Sequence, residues 1–250
     1  VRKVLAEYET KDRRVRVAYR KVNGHISAAS NDALALAQGE FVALLDHDDE
    51  ISVDALYENA VLLNAHPDAD MIYSDEDKIS DEGIRHLPFF KPDWSPDTFL
   101  SQMYSGHLGV YRTEIVRRIG GFRVGFEGSQ DYDLVLRFTE QTSHIYHIPK
   151  MLYHWRTIHG STARTADSKN YAYVAARKAI QEALDRRGEG GHVDVVPDRH
   201  GQYRVRYPVR GNPLVSIIIP TRDNVPSLDQ CLKSIFRKTT YPFFEVVIVD

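Results

Sequence analysis

Apolar residues recur along this chain in two rhythms. Short runs rich in Val, Ile, Leu and Phe alternate with stretches at helical spacing, and that alternation predicts an α/β fold. Residues 15–19 read as a short strand after a helix ending near Val4 and Leu5, and an alanine-rich helix is expected over 27–37. Phe41-Val42-Ala43-Leu44-Leu45 is apolar at every position. A strand without polar alternation is covered on both faces, which predicts a central strand of a parallel sheet. A helix follows over 54–65, with Leu56, Ala60 and Leu63 on one side and Pro67 ending it. Residues 71–73 read as a strand, Asp75-Glu76-Asp77 as a solvated acidic turn, and 78–97 as an irregular hairpin or lid.

Further along, strands are expected at 108–111, 145–148 and 151–155. Helices are expected from Thr113 to the Gly120-Gly121 pair, over 130–140 and over 167–187, the last with Ala172, Ala176, Ile180 and Leu184 in line. Gly188, Gly190 and Gly191 break the pattern, and 193–196 with 203–207 resemble an exposed hairpin. From Pro213 a strand (215–219), a helix (227–237) and a strand (246–249) form a β-α-β opening. The expected organisation is a domain over 1–187, a linker with a hairpin over 188–213, and the start of a second domain over 214–250.

Composition narrows the function classes. The 250 residues are 42% hydrophobic and 27% charged, which argues against disorder and coiled coil. A formal charge of -3 provides no global field for nucleic acid. The single cysteine, Cys231, excludes an internal disulfide and a multi-cysteine zinc site, and suits a reducing compartment. No apolar run approaches the roughly 20 residues of a membrane span. The chain opens on Val1-Arg2-Lys3 without a signal-peptide pattern, so a cytoplasmic location is expected, at the inner membrane face if a longer protein associates with it.

The apolar run at 41–45 delivers Asp46-His47-Asp48-Asp49 to a strand end, the place where open α/β sheets bind ligands. Carboxylates this close repel one another unless a cation or hydrogen-bond donors neutralise them. Oxygen ligands suit Mg²⁺ or Mn²⁺, which also grips phosphate. Asp46 and Asp48 are therefore the candidate metal and diphosphate residues, while Asp49 reads as a cap for the next helix.

Asn23-Gly24, Ser27-Ala28-Ala29-Ser30-Asn31, Ala37-Gln38-Gly39-Glu40-Phe41 and Leu44-Leu45-Asp46-His47-Asp48-Asp49, in that order, resemble the core of family-two glycosyltransferases with the GT-A fold. The resemblance implies a Rossmann-like, mostly parallel sheet flanked by helices, and an Asp-x-Asp that binds a metal and the diphosphate of a nucleotide sugar. Glu127-Gly128-Ser129-Gln130-Asp131 resembles the segment in which a Glu-Asp pair opens a helix. Gln130 stands in place of the Glu, and Asp131 keeps the position of the catalytic base of an inverting enzyme. Such transfer needs one carboxylate to deprotonate the acceptor hydroxyl. The alternative for Asp131 is a helix N-terminal charge favoured by the dipole. Tyr153-His154-Trp155-Arg156 and His159-Gly160-Ser161-Thr162 resemble the segment that closes over the diphosphate, which implies Arg156 as a phosphate ligand and His159 as a metal ligand. Trp94 is a candidate for sugar stacking or for packing.

GT-A domains open with a strand ending in Pro-Thr and a second strand ending in Asp. Residues 1–200 lack these, whereas Ile219-Pro220-Thr221-Arg222-Asp223 and Val249-Asp250 supply them. Thr221, Arg222, Asp223 and Asp250 are therefore the candidate nucleotide-binding residues, and the chain reads as a piece of a protein with tandem family-two domains. The tail is expected to complete the first sheet, in the same chain or swapped between two chains of a homodimer. The resulting expectation is an inverting, metal-dependent transfer from a nucleotide-diphosphate sugar to a glycan or lipid-linked glycan, as in O-antigen or other surface-polysaccharide assembly. The alternative is a non-catalytic nucleotide- or glycan-binding fragment.

Overall fold

In the computed structural model, which describes residues 1–157 and 170–250, a mixed six-stranded sheet organises a first unit, Val1–Tyr207. Its strands are β1 (Phe41–Ala43), β2 (Glu50–Ile51), β3 (Met71–Ile79), β4 (Arg85–Phe89), β5 (Gly109–Arg112) and β6 (Ile145–Arg156), in the order β1-β5-β3-β6-β2, with β4 on β3. Among these pairings only β3 with β6 is parallel. The α/β class is as expected, but the sheet is mixed rather than mostly parallel.

β1 differs most from its expected place. It pairs antiparallel with β5 on one side, and its other edge is unpaired among the described residues, so it is not central. Its apolar run is covered only in part: Val42 and Leu44 pack on the larger cluster and Phe41 on the smaller, while Ala43 and Leu45 are exposed. Residues 15–19 form no strand.

The helices are α1 (Arg2–Lys11), α2 (His25–Leu36), α3 (Ala55–Ala65), α4 (Pro96–Ser101), α5 (Thr113–Arg118), α6 (Gln130–Phe138) and α7 (Asn170–Arg187). The larger core joins Tyr73, Tyr111, Leu134, Phe138, Ile180 and Leu184 from the sheet, α6 and α7. The smaller joins Ala55, Ile72, Val110, Leu152 and Tyr153 beneath α3. Each fully buried side chain of this size stabilises the fold by ~1.5–3 kcal/mol, so α6, with Leu134, Leu136 and Phe138 all sealed, is a rigid platform for its own first turn.

The strands β7 (His192–Val195) and β8 (Tyr203–Arg206) form an antiparallel hairpin. It is not the exposed linker the sequence suggests: Val193 and Tyr203 are buried in the larger core, which draws the hairpin into the first unit. The acidic run in β3 also differs from the expected solvated turn, since Asp75 and Asp77 are buried.

The second unit, Pro208–Asp250, holds β9 (Val215–Pro220), α8 (Val225–Lys238) and β10 (Phe244–Val249). β9 and β10 pair in parallel from Val215 with Phe244 to Pro220 with Val249, a β-α-β unit. Asn224 caps α8 by accepting from the Ser227 amide at 3.3 Å. Among the described residues no helix is long and apolar enough to cross a membrane.

Candidate active site

The chain leaves β1 at Ala43 and turns through Asp46 to Asp49 before β2. Three anchors hold this acidic loop. The Asp46 amide donates to the Tyr153 hydroxyl at 3.2 Å, and that hydroxyl donates to Asp49 Oδ2 at 2.5 Å. The Arg156 amide donates to Asp49 Oδ1 at 2.8 Å. The Arg156 guanidinium donates to the Asp48 carbonyl at 2.8 Å and pairs with Glu50. Arg156, expected as a phosphate ligand, therefore grips the acidic loop itself. Asp49 is a strut between the loop and β6 rather than a helix cap, and burial raises its carboxyl pKa against the pull of Tyr153 and Arg156.

His107, on the loop entering β5, was not singled out by the sequence. Its Nε2 stands 4.0 Å from Asp46 Oδ2, and its Nδ1 3.3 Å from Glu76 Oε2. The ring stacks on Tyr153 with centroids 4.5 Å apart. Beneath it, Lys91 Nζ donates to Glu76 Oε2 at 2.8 Å and also to the His107 carbonyl. The buried acid-base pair thus fixes the main chain of His107 and lies beside its ring, whose Nδ1 has no hydrogen-bond partner among the described residues. Burial alone would raise the Glu76 carboxyl, but His107 and Lys91 overcome it and hold the pKa at about 2. Burial alone would lower the His107 pKa, and Glu76 reverses that, so the imidazole is raised.

The sign of a pH effect follows. A carboxyl depressed in the folded state stabilises it above the ordinary value near 4.3 and loses that contribution as pH falls towards about 2. Glu76→Gln is expected to show a shallower fall of melting temperature between about pH 4 and pH 2 than the unsubstituted chain. Circular dichroism melts across that range check it, and equal slopes would contradict it.

Asp131 opens α6, and its Oδ1 accepts from the Tyr132 amide at 2.8 Å. Burial raises its pKa, countered by that amide and by His107, while the charge of Asp46 pushes it further up. Two residues on, Asp133 is fully buried and paired with Arg123 and Arg137. Arg137 also donates to the Ile119 and Gly121 carbonyls at 2.8 and 2.7 Å, so this network locks the glycine turn to α6. Asn31 of α2 clips the same turn, exchanging hydrogen bonds of 2.7 and 2.8 Å with the Phe122 backbone. Gly121 has φ of 66°, and a Cβ there would sit 2.4 Å from Asn31 Oδ1, so both conformation and space call for glycine.

Asp46, His107 and Asp131 line one cavity of about 320 Å³, floored by apolar residues of α2, β1 and α6. A second cavity, of about 620 Å³, has the same three residues on its wall together with Asp48, Glu127 and Trp155. The expected pair of acidic loop and helix-borne carboxylate therefore shares one cleft. One ligand atom each from Asp46, Asp49 and His107 lies within 4.8 Å of the others, a group able to hold a cation. Asp48 lines the cleft without joining that group. His159 lies outside the described residues. Thr221, Arg222, Asp223 and Asp250 belong to the second unit: the Thr221 amide bonds to the Val249 carbonyl at 2.8 Å, and the Arg222 and Asp223 side chains are exposed. Trp94 packs on Phe99, Tyr104 and Tyr73. His154 is paired with Asp77 at 2.6 Å, which makes it structural.

This acidic loop, at the end of an edge strand, shares its cleft with a carboxylate in the first turn of a helix. The model of Glycosyl transferase family 2 matches residues 1–120 of the chain. It is 46% identical over 252 residues to the uncharacterized protein y4gI of Sinorhizobium fredii, covering 100% of this chain and 28% of that protein. It is 40% identical over 248 residues to the O-antigen biosynthesis protein RfbC of Myxococcus xanthus, covering 99% of this chain and 19% of that protein. The chain thus spans under a third of either relative, and both alignments run through its two units. Among solved structures, S. aureus TarS 1-349 in complex with UDP-GlcNAc superposes with a TM-score of 0.55 at 21% identity, over 73% of this chain and 54% of that one, a likeness of fold.

Proposed function

We propose that this chain is the catalytic part of an inverting glycosyltransferase, which moves a sugar from a nucleotide-diphosphate donor to a hydroxyl of a growing surface polysaccharide. The observation that carries the reading is the shared cleft, lined by Asp46, His107 and Asp131 together. In the proposed reaction the Asp131 carboxylate takes the proton of the acceptor hydroxyl as that oxygen attacks the sugar carbon from the face opposite the diphosphate. Burial makes Asp131 a stronger base than an exposed aspartate, and its place in the first turn of α6 offsets part of the cost of its charge. The imidazole of His107, beside Asp46 in this cleft, is proposed to serve the diphosphate side.

Two carboxylates and an imidazole fit Mn²⁺ better than Mg²⁺, which prefers an all-oxygen shell. Asp46, Asp49 and His107 would hold the ion, with Asp48 at the rim and His159 kept from the family resemblance as a further ligand. When bound, the cation neutralises charge developing on the departing diphosphate. Thr221, Arg222, Asp223 and Asp250 are proposed as the opening nucleotide-binding residues of a second family-two domain. The kinship with RfbC supports O-antigen or related glycan as the acceptor class, and the cytoplasm is proposed as the site of action.

The test is titration of nucleotide-diphosphate sugars into the full chain with and without Mn²⁺. Asp46→Asn is expected to weaken the Mn²⁺-dependent affinity at least about tenfold, some 1.4 kcal/mol. Equal affinity of the variant, or binding indifferent to Mn²⁺, would remove the acidic loop from the donor site.

A further inference from the structure

Beside Asp131 the fold keeps a hydroxyl that it does not use. Tyr111 of β5 is fully buried, and its hydroxyl has no hydrogen-bond partner among the described residues. Buried polar groups are nearly always paired, and an unpaired one carries an unrepaid desolvation cost. The ring needs no such cost: it packs edge-on against Phe138, with centroids 5.5 Å apart, as a phenylalanine would.

The position of the hydroxyl is specific. The Tyr111 side chain lies back along β5 over Gly109, where a Cβ would meet the hydroxyl oxygen at 2.3 Å. That direction leads towards the loop of His107. Tyr111 accordingly lines the 320 Å³ cavity that also holds Asp46, His107 and Asp131. Burial first, and the charge of Asp131 second, push the phenol pKa well up, so the group is a neutral donor at any working pH.

We propose that the Tyr111 hydroxyl is a ligand-binding group of the cleft, donating a hydrogen bond to a sugar hydroxyl brought beside Asp131. The inference rests on the glycosyl-transfer reading and adds to it a specificity contact that neither the acidic loop nor the base supplies. A sugar hydroxyl arrives from two sources, the transferred sugar of the donor and the acceptor glycan, and the experiment separates them.

The experiment compares Tyr111→Phe with the unsubstituted full chain in melting temperature and in two rates. The rates are release of nucleotide diphosphate from a nucleotide sugar in Mn²⁺ without acceptor, and transfer from the same donor onto purified surface polysaccharide. Because the hydroxyl has no partner to lose, the variant is expected to melt at or above the original temperature. A roughly tenfold fall in both rates assigns the contact to the donor sugar, and a fall in transfer alone assigns it to the acceptor. Unchanged rates would overturn the proposal, and so would a variant that melts several degrees lower, since its hydroxyl would then be serving the fold. If the unsubstituted chain releases nucleotide from no donor, the glycosyl-transfer reading itself fails, and the melting comparison still shows whether the hydroxyl is structural.

Discussion

Asp131→Asn is expected to lower sugar transfer by about 10²–10⁴-fold while leaving donor binding and folding intact. The substitution keeps shape and removes only the ability to take a proton. Asp131 is held with one oxygen on the Tyr132 amide, in a cleft shared with Asp46 and His107. Its raised pKa adds a second signature. Because the free carboxylate is the working form, kcat/KM of the unsubstituted chain is expected to fall on acidification through a value above the ordinary aspartate range. The variant should lose that limb. Nucleotide release and transfer measured across pH, with a thermal melt as the folding control, check both. A variant retaining a third or more of the rate would exclude Asp131 as the base.

The largest effect on stability is expected at Asp133. Its side chain is 1% exposed, with Arg137 at 2.7 Å and Arg123 also paired to it. Removing one member of a buried ion pair leaves its partners as uncompensated charges and typically costs about 3–5 kcal/mol. Asp133→Asn should therefore lower the melting temperature by roughly 10 °C in a chain of this size. Activity should fall as well, because the same network joins the Gly120-Gly121 turn to the helix that carries Asp131. Denaturant unfolding measures the stability loss directly. A change below 1 kcal/mol would mean that the arginines find other partners and that the network does not hold α6.

Local pattern reached far into this fold, and its failures share a cause. Helical spacing located α2, α3, α6 and α7, and the tail pattern matches the β-α-β of the second unit. The run at 41–45 misled about covering as well as direction: Phe41, Val42 and Leu44 are half-buried, Ala43 and Leu45 are exposed, and the strand is an antiparallel edge. Continuous hydrophobicity does not say whether neighbours cover both faces, whether the neighbouring strand is parallel, or whether the strand is central. Asp75-Glu76-Asp77 misled for a different reason. An acidic run is solvated unless hydrogen-bonding partners arrive from elsewhere, and here His147, Lys91, Arg85 and His154 arrive from β4, β6 and the intervening loop. The pairings with His147 and His154 span 72 and 77 residues, beyond the reach of a local sequence window.

The site divides in the same way. Asp46, Asp48 and Asp131 stood in recognisable runs, and the fold brings them to one cleft. His107 stands in no motif, and only its place beside Ser105 and Gly106, just ahead of a strand, hinted at a close-packed loop. Arg156 belonged to the right segment, but whether its guanidinium faces a ligand or grips a loop depends on the register of β6 against β2, which pairs Glu50 with His154. Tyr111 was invisible for the same reason: an unpaired hydroxyl is a property of the assembled interior.

The most direct measurement is a crystal structure of the chain grown with Mn²⁺ and a nucleotide-diphosphate sugar, with the metal located by its anomalous scattering. The account predicts the manganese peak against the carboxylates of the loop at 46–49, the diphosphate on it, and the sugar carbon turned towards Asp131. A manganese peak elsewhere on the surface, or a donor whose sugar lies remote from Asp131, would contradict it.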